Sequence, residues 1–364
     1  MKPVKFQNIP IHFIVGSARS GTTLLSIMLN QHSGILSTTE NDFLLYYLKD
    51  FFNADLSDKN IKEKLISGLL KRKNKVTTIW RLDRNMIESG ETFSDYFHSY
   101  TDFCKWCYLV YGKKYFGKYQ PLMIVDKNPV YTLHIKTLIT HFPDSKFIAL
   151  VRDYRDVISS QKRFFGLFKL MPMYGYSWKL NNELIYECSK KYQDKIMVVK
   201  YEDLVKTPGM AIKAICGFLN TEYEPGMLEY HKNLAPFIEQ ISKIFSAAQK
   251  KGMQEMFGLI GQPVTEERIG AGMRVLSKSQ IRIADFIAGR TGCKFGYLPK
   301  YNFNFFEKIL LHILTFPVTV ISAIQINFFN YHYYYLPVRV RKIAEFLNIP
   351  LIIKRILSSY KNRA

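Results

Sequence analysis

Short apolar runs alternate with longer amphipathic stretches through the first 220 residues. Residues 11–15 (IHFIV) read as a buried strand, followed by a turn of small residues, GSARSGTT at 16–23. Beyond it the spacing becomes helical to about residue 32, with Leu24, Leu25, Met28 and Leu29 on one face. ILSTTEN (35–41) is a short extended piece carrying Glu40 near its end. Residues 42–75 read as helical and very basic, closing on KRKNK at 71–75, and 94–111 as an aromatic-rich helix with Ser94 at its N-cap. PLMIVDKNP (121–129) is a second strand, with a helix predicted over 131–141. KFIALV (146–151) is a third, running into RDYRDVISS (152–160) and a further helix. KIMVVKY (195–201) is a fourth, followed by EDLVKTP and a helix through 219. Strands alternating with helices at these intervals predict an α/β fold with a mostly parallel central sheet covered on both faces. Ligands of such sheets bind at the carboxyl ends of the strands, where the charged clusters of this sequence fall.

The turn after the first strand carries the clearest chemistry. Gly16 and Gly21 have the spacing of a phosphate-binding loop, G-x-x-x-x-G, followed by Thr22 and Thr23, which makes the three-layer fold P-loop-like. Backbone N–H groups in such a turn, with a helix start behind them, bind a tetrahedral anion. A nucleotide triphosphatase would carry Lys where this chain has Thr22, and the loop's own cation is Arg19. Together with Glu40, Lys127, Arg152 and Ser160, the rim suits a ligand with several phosphate-like groups. Taken singly, each has a plainer reading: Arg152 as a surface ion-pair partner, Ser160 as a small helix residue, Lys127 as part of a turn.

Composition narrows the partners. The formal charge of +21 fits nucleic acid, an anionic membrane surface or a polyanionic substrate. The basic residues are spread along the chain without an RNA-binding signature or zinc-finger spacing, so nucleic acid is not expected. Five cysteines without framework spacing argue for a reducing compartment. Cys104 and Cys107 form a C-x-x-C on a predicted helix without further ligands at suitable spacing, so buried thiols are expected and no metal. The first strand starts close to the N-terminus and no signal or transit peptide is evident, which makes a cytoplasmic catalytic domain the expectation.

GSARSGTTLL, KFIALVRDYRDVISS and VVKYEDLVKTP, in this order and at these separations, resemble the PAPS-dependent sulfotransferases, PAPS being 3′-phosphoadenosine 5′-phosphosulfate. The resemblance covers roughly residues 10–298, and its last part, 267–299, is similar to the family's closing helices and terminal Gly-Tyr. It implies sulfuryl transfer from PAPS to an acceptor hydroxyl, with PAP as product and no metal. It also implies that Gly16, Ser17, Ala18, Arg19, Ser20, Gly21, Thr22 and Thr23 form the 5′-phosphosulfate loop. Arg152 and Ser160 would hold the 3′-phosphate, and Tyr201 would lie near the nucleotide. Arg at position 19 makes the chain more similar to the bacterial and tyrosylprotein-sulfotransferase branches than to the cytosolic steroid and phenol enzymes. In the tyrosylprotein branch a Glu 21 positions after that Arg is the base, and Glu40 stands at that interval; Lys127 in KNP fits an assisting Lys. Asp126 is the lesser candidate for the base. Gly270 and Gly272 resemble a phosphate-proximal glycine loop only loosely.

The expected division is a catalytic domain over 1–298 and a helical C-terminal extension over 299–364. Residues 309–338 contain no Asp, Glu, Lys or Arg, and the last 34 residues carry seven Lys or Arg against one Glu. Such a segment fits attachment to an anionic membrane surface, packing on the domain or on a homodimer partner, or a span. Pro317, Asn327 and Asn330 weigh against the span. For the acceptor, Phe164, Phe165, Phe168, Tyr174, Tyr176 and Trp178 offer rings to stack on sugars, which together with the basic tail points to a glycan or lipid-linked glycan. Two other classes stay open at this level: a P-loop nucleotide kinase or hydrolase, and a non-catalytic basic protein that binds membranes or glycans.

Overall fold

The structure, a computed structural model, describes residues 6–71, 80–88, 98–118, 120–165, 171–235, 238, 258, 260–327, 332–337 and 339–341. The KRKNK run beyond Lys71, Ser94, Phe168, the side chains of Phe164 and Phe165, and the tail from 342 lie outside the described residues.

Five strands form one sheet: β1 (Ile11–Gly16), β2 (Ile35–Ser37), β3 (Met123–Lys127), β4 (Phe147–Val151) and β5 (Ile196–Lys200), in the order β2-β3-β1-β4-β5. All four pairings are parallel, with Ile11 opposite Ile124, Phe13 opposite Phe147 and Ile35 opposite Met123. The strands are mostly apolar because both faces are covered, with polar side chains confined to His12 in β1, Ser37 ending β2, Asp126 and Lys127 at the end of β3 and Lys200 ending β5. Alternate side chains feed separate cores. Phe13, Val15, Phe147 and Ala149 join one cluster, while Ile14, Val125, Ile148 and Leu150 join the other.

The helices supply the outer layers. On one face lie α1 (Thr22–Asn30), through Leu25, Met28 and Leu29, and α10 (Pro208–Leu219), through Ile212, Ile215 and Leu219. The other face is covered by α2 (Phe43–Phe51), α3 (Lys59–Lys71), the short α4 (Arg84–Glu88), α5 (Tyr100–Phe116), α6 (Ile135–His141), α7 (Tyr154–Phe165) and α8 (Met171–Lys191). A short helix, α9 (Tyr201–Lys206), leaves β5 directly. The closing helices are α11 (Ala271–Val275) and α12 (Lys278–Cys293), and α12 starts on a reciprocal Ser277–Gln280 capping box.

Two boundaries differ from the sequence expectation. The basic stretch 42–75 is not one helix: α2 and α3 are separated where Asp55 and Asp58 accept hydrogen bonds from the backbone N–H groups of Ser57 and Asn60. Short acidic side chains that bond their own backbone favour turns over helix interiors. The aromatic helix α5 starts at Tyr100, capped by Ser99 accepting from Asp102 N, five residues later than expected.

The C-terminal segment packs on the domain. A helix, α13 (Phe305–Ile324), begins on an Asn304–Glu307 capping box, holds Pro317 inside and lies against α8 and α12. After it the chain returns: the Tyr335 hydroxyl meets His134 Nδ1 at 3.1 Å and Thr137 Oγ1 at 2.5 Å. Arg341, fully buried, pairs with Asp50 on α2 at 2.5 Å, stacks 4.2 Å from the Tyr46 ring and donates to the Tyr46 carbonyl.

Candidate active site

The loop after β1 is built to present backbone amides. Gly21, at φ 95°, is the residue before α1, and no side chain caps that helix. The first N–H groups of α1 are therefore left to another acceptor. A Cβ at Gly21 would come 2.5 Å from the Tyr201 ring, so the aromatic residue leaving β5 seats directly on the loop. Arg19 holds φ 76°, a strained conformation for a side-chain-bearing residue that the surrounding contacts must enforce. Three hydrogen bonds hold the loop around it. Gln161 Nε2 donates to the Ala18 carbonyl at 2.9 Å, Asn182 Nδ2 to Ser17 Oγ at 3.1 Å, and Gly16 N to Thr132 Oγ1 at 2.8 Å. Ser20 Oγ is buried among the described residues without a hydrogen-bond partner. A buried hydroxyl left this way, beside an uncapped helix start, fits a phosphate-like oxygen.

Arg19 turns its side chain along α7, where Nε donates to Ser160 Oγ at 3.2 Å. Burial, then the nearby Arg163 and Arg152, lower its pKa to about 10, while Glu40 opposes them. It remains a cation at neutral pH. On the other side of the loop, Lys127 Nζ lies 2.9 Å from Glu40 Oε1 and 3.4 Å from Thr23 Oγ1, which is on the first turn of α1. Lys127 is 4% exposed and the Glu40 side chain 38%, so the carboxylate is the member of the pair that an incoming molecule can reach. Asp126, one residue before, is fully buried and accepts from the Tyr108 hydroxyl at 2.6 Å and from Thr38 and Asn41. Burial pushes it up to about 6. It holds the sheet rim together and faces no open space.

Arg152 leaves β4 and lies 4.1 Å over the Tyr201 ring. Its Nη2 donates to the Arg268 carbonyl at 2.6 Å and lies 3.5 Å from Asp156, while its buried Nε lacks a partner among the described residues. Asp156 accepts from Gly270 N at 2.9 Å and from Gly272 N at 2.6 Å. A Cβ at Gly272 would stand 2.3 Å from the Arg155 carbonyl, so the segment 268–272 lies flat on the start of α7 beside Arg152.

The charged and hydroxyl site residues expected from the sequence come together in three contacting groups: Arg19 with Ser160, Glu40 with Lys127 and Thr23, and Arg152 with Tyr201. Glu40 pairs with Lys127 at 2.9 Å, and its charge also acts on Arg19, raising that guanidinium's pKa against the effect of burial. Sequence reasoning missed Asp156, Thr132, Asn182 and Gln161. Asp156, directly after Arg155 in RDYRDVISS, was the one readable signal, since it sits four residues, about one helical turn, after Arg152. Of the rings expected to stack on sugars, two are enclosed in the core. Tyr174 and Trp178 are fully buried, Trp178 donating to the Arg152 carbonyl at 3.0 Å, and Tyr176 is half-buried.

Cys104 and Cys107 are buried, and burial raises both thiols. Among the described residues no group of His, Cys, Asp and Glu has the arrangement of a metal site.

Comparison with known proteins meets this geometry from outside. A Caenorhabditis briggsae protein that carries the name of a protein-tyrosine sulfotransferase is 29% identical over 252 residues, covering 66% of this chain and 75% of that protein. A Caenorhabditis elegans protein of the same name is 26% identical over 139 residues, covering 35% of this chain and about half of its own length, 51%. Among solved structures, the sulfotransferase domain of an olefin synthase from Synechococcus PCC 7002 aligns with a TM-score of 0.49 at 20% identity, over 76% of this chain and 93% of that one. The family model described as Sulfotransferase family matches residues 10–225, a stretch that starts before the amide-rich loop and runs past Arg152 and Tyr201. With well over half its length so matched, the chain belongs to the sulfotransferase family.

Proposed function

We propose that the chain moves a sulfuryl group from PAPS to an acceptor hydroxyl, with Glu40 as the base that takes the acceptor's proton. The observation that carries this reading is the Glu40 carboxylate, open to solvent and 2.9 Å from Lys127 Nζ, beside the first turn of the loop helix. PAPS, when bound, supplies an electron-poor sulfur attached to a phosphate leaving group. Sulfuryl transfer resembles phosphoryl transfer in that little covalent work falls to the protein, which positions the reactants and stabilises developing charge.

The residues divide that work. Amides of residues 16–23, Ser20 and the start of α1 hold the 5′ side. Arg19 and Lys127 are cations for the charge that grows on the leaving phosphate oxygen. The acceptor's O–S bond forms as the S–O bond to phosphate breaks, and the hydroxyl proton passes to Glu40. Arg152 and Ser160 hold the 3′-phosphate, with Tyr201 against the nucleotide, and Asp156 fixes the 268–272 segment next to Arg152. A carboxylate has its ordinary range well below neutral pH and accepts a proton from a hydroxyl whose bond to sulfur is forming.

For the acceptor, a glycan or lipid-linked glycan is our first reading, supported by the charge of +21 and by the exposed apolar helix α13 one helix away from the loop. A tyrosine phenol is the second, supported by the names of the two Caenorhabditis relatives. Five free cysteines support a reducing, cytoplasmic setting for the reaction. Transfer of radiolabelled sulfate from PAPS to glycans, membrane extracts and tyrosine peptides tests the reading, with Arg19→Ala alongside. Label on an acceptor that disappears in Arg19→Ala is expected. Binding of Mg-ATP without affinity for PAPS or PAP would overturn it.

A further inference from the structure

We propose that the outward face of α13 lies on an anionic lipid bilayer and docks the catalytic domain against the membrane surface. The helix is inside-out relative to a helix of a soluble protein. Its outward side presents Phe305, Phe306, Ile309, Leu310, Ile313 and Leu314, between 44% and 79% exposed. On its inward side the buried positions are small hydroxyl residues, Thr315 and Ser322, which donate to their own helix at Leu311 O and Val318 O, with Leu311 and Val318 half-buried beside them. A surface helix of a globular protein turns its large apolar residues to the core and its polar ones to water. Reversal over five turns calls for an apolar environment outside.

The face is also held in place. Arg282 pairs with Glu307 at 2.5 Å at the start of the helix, and at its far end Ile326 is buried before the chain returns to His134, Thr137 and Asp50. Both ends of the helix are thus tied to the domain. At about 1.5 Å per residue it is a rod of roughly 30 Å lying along the domain surface.

Charge selects the occupant. Two copies each carrying +21 repel one another, whereas an anionic surface attracts the chain. Lys300 and Lys308 are exposed at the start of the helix, and Glu307 is engaged by Arg282. The last 34 residues carry seven basic residues against one acid, of which, among the described residues, only Arg341 is committed to Asp50. Apolar residues on one side with basic groups at the flanks are the make-up of an interfacial helix. This inference does not rest on the sulfuryl-transfer reading.

The test uses the full chain with vesicles of phosphatidylcholine alone or mixed with phosphatidylserine. Flotation with the mixed vesicles is expected, weaker on the neutral ones. An Ile309→Glu/Ile313→Glu double variant should bind at least about tenfold less. Unchanged PAP binding by that variant would report an intact catalytic domain. In a separate Phe316→Trp variant, vesicles should shift the emission to the blue and brominated lipid should quench it. No flotation would overturn the proposal. So would complete release by molar salt without an emission shift, which is charge adsorption alone. A wild-type dimer in light scattering that the double variant dissociates would assign the face to a second copy instead.

Discussion

Glu40→Gln separates proton transfer from everything else the rim does. The amide keeps the shape and an oxygen facing Lys127 but cannot take a proton. Removing a positioned general base costs about 10²–10⁴-fold in rate, or about 3–5 kcal/mol of barrier. The structural side effect is smaller. Lys127 loses its carboxylate at 2.9 Å, yet that carboxylate is more than a third exposed, and ion pairs of that kind contribute about 1 kcal/mol or less. The expected result is therefore a kcat lowered at least about a hundredfold, a melting temperature lowered by a few degrees, and PAP affinity within about threefold of wild type. Initial rates with labelled PAPS give kcat and KM, calorimetry gives PAP affinity, and thermal unfolding with and without PAP controls for the fold. A Glu40→Gln enzyme that keeps kcat within about threefold of wild type, its PAP affinity unchanged, would refute Glu40 as the base.

Arg152→Ala should weaken PAP binding by about tenfold to a hundredfold, since a charged hydrogen-bonding group contributes roughly 1.5–3 kcal/mol, while leaving affinity for AMP nearly unchanged. Equal losses for both nucleotides by calorimetry would remove Arg152 from the 3′-phosphate. Gly272→Ala puts a methyl 2.3 Å from the Arg155 carbonyl, a backbone atom, and should cost about 1–3 kcal/mol in urea unfolding together with weaker PAP binding. Asp126 titrates near 6 in the folded chain against about 3.9 unfolded, because burial raises it. The folded state then binds more protons between those values, so stability falls as pH rises from about 4 to 6 and is level above. Asp126→Asn should lack this fall, so that the wild-type-minus-variant difference in unfolding free energy declines by about 2–3 kcal/mol across that window. A difference that stays flat would contradict the burial of a charge at Asp126.

What was legible in the sequence was whatever depends on neighbours along the chain. Apolar runs of five or six residues gave four strands, and the extended piece at 35–41 proved to be the fifth, edge strand. The spacing of Gly16, Arg19 and Gly21 announced the loop because adjacent amides make the anion site. The helix ends were less legible: Ser94 and Ser99 are equally good caps by residue type, and only the packing of Tyr100, whose hydroxyl donates to the Phe43 and Leu44 carbonyls, selects the second. The supports of the site were not legible. Asp156 reaches Gly270 and Gly272 across more than a hundred residues, and Asn182 and Thr132 reach the loop from similar separations. Such side chains look like ordinary polar residues until the fold brings them there. Two of the aromatics after Ser160 are taken up by packing instead: Tyr174 and Trp178 are fully buried, Trp178 edge-on against Tyr154 at 5.4 Å, while Tyr176 stays half-buried.

The strand order explains why these residues can act together. Chain order runs β1 to β5, but across the sheet the order is β2, β3, β1, β4, β5, so the chain reverses direction about β1. Loops leaving neighbouring strands to opposite sides open a crevice there, and the amide-rich turn lies in it. Reading the rim in spatial order gives Glu40 just past β2, Lys127 ending β3, the loop and Arg19 after β1, Arg152 after β4 and Tyr201 after β5. With strands about 4.8 Å apart, that row spans roughly 19 Å. Its left end carries a reachable carboxylate and its right end an arginine stacked on an aromatic ring, with cations and amides between them. A donor whose nucleotide sits at the right must present its transferable group at the loop and face the carboxylate. Under the proposed residue roles the direction of transfer follows from sheet topology, and the acceptor approaches from the β2 side, where Thr39 is hydrogen-bonded to Tyr111 and Trp80.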